Sequence, residues 1–89
     1  MNNQEIKSLL ITELNLKEAY ITGDSNHIKI IVIGDIFKGE SQVKRQQIVY
    51  APLINMIAKQ HIHAISIVAY TAEEWKKNNK KIKNSIHKT

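Results

Sequence analysis

His27, His61, His63 and His87, with two methionines, are the only soft-metal ligands in this chain, which has no cysteine. Neutral imidazole binds zinc, copper, nickel and iron, and it takes up a proton near neutrality. The chemistry on offer is therefore metal ligation that acid can reverse. His63 lies in Ile62-His63-Ala64-Ile65, where a helical pattern gives way to an extended one. A ring there is held by regular structure on both sides and can turn one nitrogen outward. The commoner role for such a histidine is a bond to a loop carbonyl. His61 and His63 form a His-x-His pair; on an extended segment the two would share a face about 6.5 Å apart, enough to chelate zinc or nickel adventitiously. For His61 alone, an exposed place at a helix end, favoured by the dipole, is the simpler reading. Catalysis has little to work with: no nucleophile–base pair, no phosphate-cradling glycine loop and no paired carboxylates at helical spacing are visible. The expectation is a protein that is not an enzyme.

These residues must be positioned by the elements around them. Ile6, Leu9, Leu10 and Leu14 fall on one helical stripe, with Asn2 as N-cap and Glu5 three residues on. Ala19-Tyr20-Ile21-Thr22 reads as a strand, Gly23-Asp24-Ser25-Asn26 as a turn, and His27 to Ile33 as a second strand, together an antiparallel hairpin. In the second strand Ile28, Ile30 and Val32 point one way, and His27, Lys29, Ile31 and Ile33 the other. Ser41 is a candidate N-cap for a helix at 42–49, and Pro52 suits the first turn of another at about 51–60. A third strand spans 64–70, and Thr71-Ala72-Glu73-Glu74 is a capping box that opens a last helix carrying Trp75. The order is α-β-β-α-α-β-α, an α+β domain with helices on one face of a three-stranded sheet.

Eighty-nine residues make one small domain. The net charge of +5 invites a nucleic-acid reading, but its distribution argues against one. Residues 76–89 hold six lysines and no acid, while residues 1–75 hold seven Lys/Arg against all eight Asp/Glu, a net of −1. The body, 1–75, is near neutral, and 76–89 forms a basic, partly disordered tail whose plainest role is a solvated, frayed helix end. No run reaches the roughly 18 apolar residues of a membrane span. The first residues lack the basic and apolar regions of an export signal, which makes the cytoplasm the expected location.

One longer pattern organises these pieces. The chain runs Phe37-x-Gly39-x-Ser41, Lys44-Arg45, Val49-Tyr50, Leu53, Ile62-His63-Ala64-Ile65 and Thr71-x-x-Glu74-Trp75. In order and spacing this resembles the BolA family, and Val43-Lys44-Arg45-Gln46-Gln47 looks most like its IbaG (YrbA) branch. The resemblance implies a type II KH-like fold. It also implies a function: a non-enzymatic adaptor that binds a monothiol glutaredoxin and shares a [2Fe–2S] cluster with it, in iron–sulfur trafficking or sensing and in acid stress.

On that resemblance His63 matches the histidine that ligates the cluster. The family's second ligand is a Cys or His in the loop before the second strand. Here that loop has no cysteine, and His27, at the strand edge, is favoured over Asp24 because carboxylate is a harder ligand. The other ligands must come from outside, from the glutaredoxin cysteine and a bound glutathione. Protonation of imidazole should make the complex acid-labile. Lys44, Arg45 and Tyr50 are the expected partner-binding residues, with Arg45 and Tyr50 near the His63 end. For Arg45 the simpler role is a surface cation paired with Glu40 or Asp35. Packing is the simpler role for Tyr50 and for Trp75. Many family members carry a histidine after the arginine, where this chain has Gln46. Alone, the chain is either a monomer or a His-bridged homodimer.

The rival reading is a KH-like DNA-binding regulator. A KH domain grips nucleic acid with a Gly-x-x-Gly loop, whereas the helix junction here is Tyr50-Ala51-Pro52. Only Tyr20 and Tyr70 could stack bases on an exposed sheet. Any DNA binding should then rest on the tail, at Lys76, Lys77, Lys80, Lys81 and Lys83, and vanish when 76–89 is deleted.

Overall fold

The structure is a computed structural model that describes residues 2–78. Helix α1 spans Asn3–Leu14, strand β1 Glu18–Asp24, strand β2 His27–Ile33, helix α2 Gln42–Tyr50, helix α3 Ile54–Gln60 and strand β3 Ile65–Tyr70. Residues 72–78 form a last helix, α4. The element order matches the one expected from the sequence. None of the helices among the described residues is long and apolar enough to cross a membrane.

Local chemistry sets most boundaries. Asn2 Oδ1 accepts from the Glu5 amide at 2.9 Å, and Ser41 Oγ accepts from the Lys44 amide at 3.1 Å. At α4 the box is reciprocal: Glu74 N–H donates to Thr71 Oγ1 at 3.2 Å, and Thr71 N–H to Glu74 Oε1 at 2.9 Å. The hairpin is tighter than expected, because β1 and β2 pair as far as Asp24 and His27 and leave a two-residue loop, Ser25-Asn26. Gly23 holds φ at +93°, and a Cβ there would collide with the His27 carbonyl oxygen. Pro52 lies in a 3₁₀ turn, Ala51–Leu53, that joins α2 to α3 rather than in the first turn of a separate helix. Its missing N–H and its ring interrupt the α-helical ladder there, and the tighter turn absorbs the break.

The sheet order is β1-β2-β3, antiparallel between β1 and β2 and parallel between β2 and β3. A parallel step needs a long crossover, which α2 and α3 supply. By register, Ala19, Ile28, Ile30, Val32 and Ala69 share one face, and all are buried with Ile6 and Leu10 of α1, Phe37, Val49 and Leu53. Each large apolar side chain so buried contributes roughly 1.5–3 kcal/mol.

The opposite face is not bare. Tyr20 of β1 and Tyr70 of β3 stand on it at the Ile31–Ile33 end of β2, and Trp75 of α4 packs against both, with ring centroids 5.8 and 5.3 Å away. Helices therefore cover both faces, which corrects the one-face expectation. Trp75 lies over this second face, against both tyrosines. Helix α4 folds back over this face and brings the three aromatic rings together in tilted contacts. The two tyrosines that could have stacked bases are occupied by this packing.

Candidate functional site

The histidine end of the molecule is built by the entry into β3. Helix α3 stops at Gln60, and His61 takes a left-handed turn (φ 52°, ψ 47°) that redirects the chain. The His-x-His pair therefore does not lie on one extended segment, and the shared-face geometry expected of it is not formed. The chain then runs alongside the hairpin: His63 N–H donates to the Ser25 carbonyl at 2.9 Å, and Ile28 N–H to the Ala64 carbonyl at 3.0 Å. These bonds fix the His63 backbone while its side chain stays exposed.

His27 and Asp24 are brought to the same end, because they face each other as the last pair of the hairpin and Ser25 follows Asp24. Both already have partners. His27 Nε2 lies 2.7 Å from Ser66 Oγ of β3, and Asp24 Oδ1 accepts from the Asn26 amide at 3.0 Å. A hollow of about 550 Å³ adjoins Asp24, bounded also by Asn2, Asn3, Ser25, Ile28 and Gln60, and His27 does not line it. Among the described residues no three His, Cys, Asp or Glu side chains come together to hold a metal ion. What this end presents is an exposed imidazole on a fixed backbone with weaker donors nearby, and no thiolate.

Arg45 lies elsewhere. It is 5% exposed, and four of its five N–H donors are bonded inside the chain: Nε on the Glu40 carbonyl at 2.9 Å, Nη1 on the Ala69 carbonyl at 3.1 Å, and Nη1 and Nη2 on the Glu74 carboxylate at 2.6 and 3.1 Å. Ala69 is six residues along β3 from His63, about 20 Å of extended chain. The expectation that Arg45 meets a partner near His63 is thereby corrected. The simpler expectation changes too, since Asp35 pairs with Lys17 and Glu40 offers only its carbonyl. A guanidinium can be buried here because its fork meets a carboxylate and two carbonyls at once. The same bond from Arg45, with the Thr71 amide, pulls the Glu74 carboxyl down from 4.5 to about 2. Hydrogen bonding to Glu74 likewise pushes the Arg45 guanidinium up, against the opposing effect of its burial.

Lys44 is exposed, and Tyr50, 39% exposed, stands at the other end of α2 beside Ile65 and Ile67. Lys76 and Lys77 are exposed on α4, where Lys77 reaches Glu73 at 3.8 Å. Lys80, Lys81, Lys83 and His87 lie outside the described residues. The helix runs on to 78, past the boundary drawn at 75. Three participants went unnoticed in the sequence: the Ser25 carbonyl, the Ser66 hydroxyl and Glu74 as the partner of Arg45. Glu74 announced itself only as a cap. The other two depend on strand register, which leaves no local mark.

The profile of the BolA family, described as "BolA-like protein", matches residues 5–74. A protein of Buchnera aphidicola subsp. Acyrthosiphon pisum is 71% identical over 80 residues, covering 90% of this chain and all of its own length. Acid stress protein IbaG of Escherichia coli strain K12 is 48% identical over 80 residues, 90% of this chain and 95% of that protein. Among solved structures, BolA1 from Arabidopsis thaliana superposes with a TM-score of 0.72 at 28% identity, over 83% of this chain and 98% of that one.

Proposed function

This chain belongs to the BolA family, in its IbaG-like branch, and from that premise we propose that it is a non-enzymatic adaptor which binds a monothiol glutaredoxin and co-ligates a [2Fe–2S] cluster through His63. One observation carries the reading: the His63 side chain is exposed, while its own amide is pinned to the Ser25 carbonyl at 2.9 Å. A ligand needs that combination, an accessible nitrogen on a backbone that does not have to be ordered on binding.

The donor set fits one side of a shared cluster and no more. Without cysteine, the chain leaves thiolates to the glutaredoxin and to glutathione. His27 is the candidate second donor, through Nδ1 or by giving up Ser66; Asp24 is the weaker alternative, because one of its oxygens already closes the hairpin loop. The cluster would supply electron transfer or be handed on, and this chain's part is to orient an imidazole and lose it on protonation. A role in acid stress is in keeping with that chemistry and with the name of the Escherichia coli relative.

The test is to mix the chain with a monothiol glutaredoxin, glutathione, iron and sulfide, and to record visible absorption and circular dichroism. The expected spectrum differs from that of the glutaredoxin homodimer and is lost in His63→Ala. Identical spectra with and without this chain would end the proposal.

A further inference from the structure

A neutral imidazole has one nitrogen lone pair to give, so the bond made by one nitrogen decides whether the other can hold a metal. At His27 that bond crosses the sheet. By register Ile28 stands opposite Ile65 and Lys29 opposite Ser66, so His27, two residues before Lys29, shares a face with Ser66. The ring reaches diagonally to β3, where Nε2 lies 2.7 Å from Ser66 Oγ, at the short end of the hydrogen-bond range. His27 is exposed and Ser66 half-buried, so the strand holds the serine and the serine holds the ring.

Two proton arrangements satisfy this distance. If the hydroxyl donates, Nε2 spends its lone pair on Ser66 and Nδ1 carries the proton, and neither nitrogen can take a metal. If Nε2–H donates, the Nδ1 lone pair is left free. Metal-binding histidines ordinarily give their other N–H to a carboxylate, a backbone carbonyl or water. Asp24, the cross-strand partner of His27, does not fill that place with Oδ1, which accepts from the Asn26 amide. The Ser66 hydroxyl stands there instead, on a strand whose pairing with β2 fixes the spacing.

We propose that Ser66 is a positioning residue of the cluster site. Its hydroxyl accepts from His27 Nε2–H, locks that tautomer and ring orientation, and leaves Nδ1 as the nitrogen offered to the cluster. The inference rests on His27 being the second ligand, and it rules out the route in which His27 gives up Ser66 to bind. A ring oriented beforehand does not have to be ordered when the cluster is bound. Ser66 acts through His27 and is not itself a ligand.

The test compares the wild type with Ser66→Val and Ser66→Thr, whose side chains share a shape, suit a strand and differ in the hydroxyl. The full chain alone is studied first by long-range proton–nitrogen NMR, at about pH 8.5 where imidazole is neutral. Wild type and Ser66→Thr should show His27 protonated on Nε2 and in one χ1 rotamer; Ser66→Val should average over rotamers and tautomers. In the complex reconstituted with a monothiol glutaredoxin and glutathione, Ser66→Val should change the visible circular dichroism. It should also speed loss of the cluster to EDTA about tenfold, with Ser66→Thr within about twofold of wild type. Added to His27→Ala, Ser66→Val should have no further effect. Amide spectra report that each variant keeps the fold, and Ser66→Ala repeats the test without added bulk. The proposal is overturned if His27 carries its proton on Nδ1, if the Val and Thr variants behave alike, or if Ser66→Val costs as much with His27 gone. A wild type that forms no shared cluster ends the proposed function, and this inference with it. A shared cluster indifferent to Ser66→Val ends the inference alone.

Discussion

The two ends of β3 carry the same kinds of polar residue and use them in opposite ways. At the Ala69 end, Arg45, Glu74 and Thr71 spend their side chains on each other and on the backbone, and the cation is 5% exposed. At the Ile65 end, the backbone is bonded at Ser25 and Ala64 while the His63 ring is left to solvent. Residue type alone would rank the arginine as the stronger candidate for recognition. Burial and bonding reverse the order: a guanidinium that is 5% exposed and has four of its five N–H donors bonded inside the fold has little left for a partner.

That contrast is open to attack, most severely at the tied end. Arg45→Ala removes a bidentate ion pair and leaves the Glu40 and Ala69 carbonyls without their donor, so we expect a loss of roughly 2–4 kcal/mol. Urea unfolding measures it, and a loss below about 0.5 kcal/mol would return Arg45 to the class of ordinary surface residues. Gly23→Ala attacks the open end through its support. Its positive φ and the closeness of the His27 carbonyl should cost on the order of 2 kcal/mol and loosen the loop that holds His63. A wild-type midpoint in the same urea experiment would contradict this.

Acid separates the ends more gently. The Glu74 carboxyl is depressed from 4.5 to about 2, so the stability it adds is complete above about 4.5 and is lost as pH falls toward 2. Because the carboxylate is still 44% exposed, we expect about 1 kcal/mol across that window, absent in Glu74→Gln. Parallel stability–pH curves for the two proteins would remove the pair from the account. The smallest effect on the fold belongs to His63→Ala, expected to stay within about 0.5 kcal/mol while removing the cluster spectrum. A strongly destabilised variant would mean that the ring is structural after all.

Legibility in the sequence followed distance along the chain. The caps at Asn2, Ser41 and Thr71 could be read because each involves a residue three positions away. The core of β2 could be read from strict alternation, and Ile28, Ile30 and Val32 are all buried. Ile33 breaks the pattern, buried on the face expected to be open, because α4 returns over that end. The Arg45–Glu74 pair spans 29 residues and the His27–Ser66 contact 39, and neither leaves a local trace. His61 reads as the end of a helix, but its left-handed turn is dictated by how α3 must re-enter the sheet.

By itself, then, the sequence determined the order of the elements, the apolar stripe of each and the absence of thiolate. Those depend on side-chain chemistry and on periodicity within a few residues. Only the tertiary structure decided that β3 lies parallel to β2, that Trp75 closes the second face, that Arg45 is sealed in and that His63 is not. These outcomes turn on which donors and acceptors meet once distant segments pack, and burial is a property of the assembled fold rather than of any one residue.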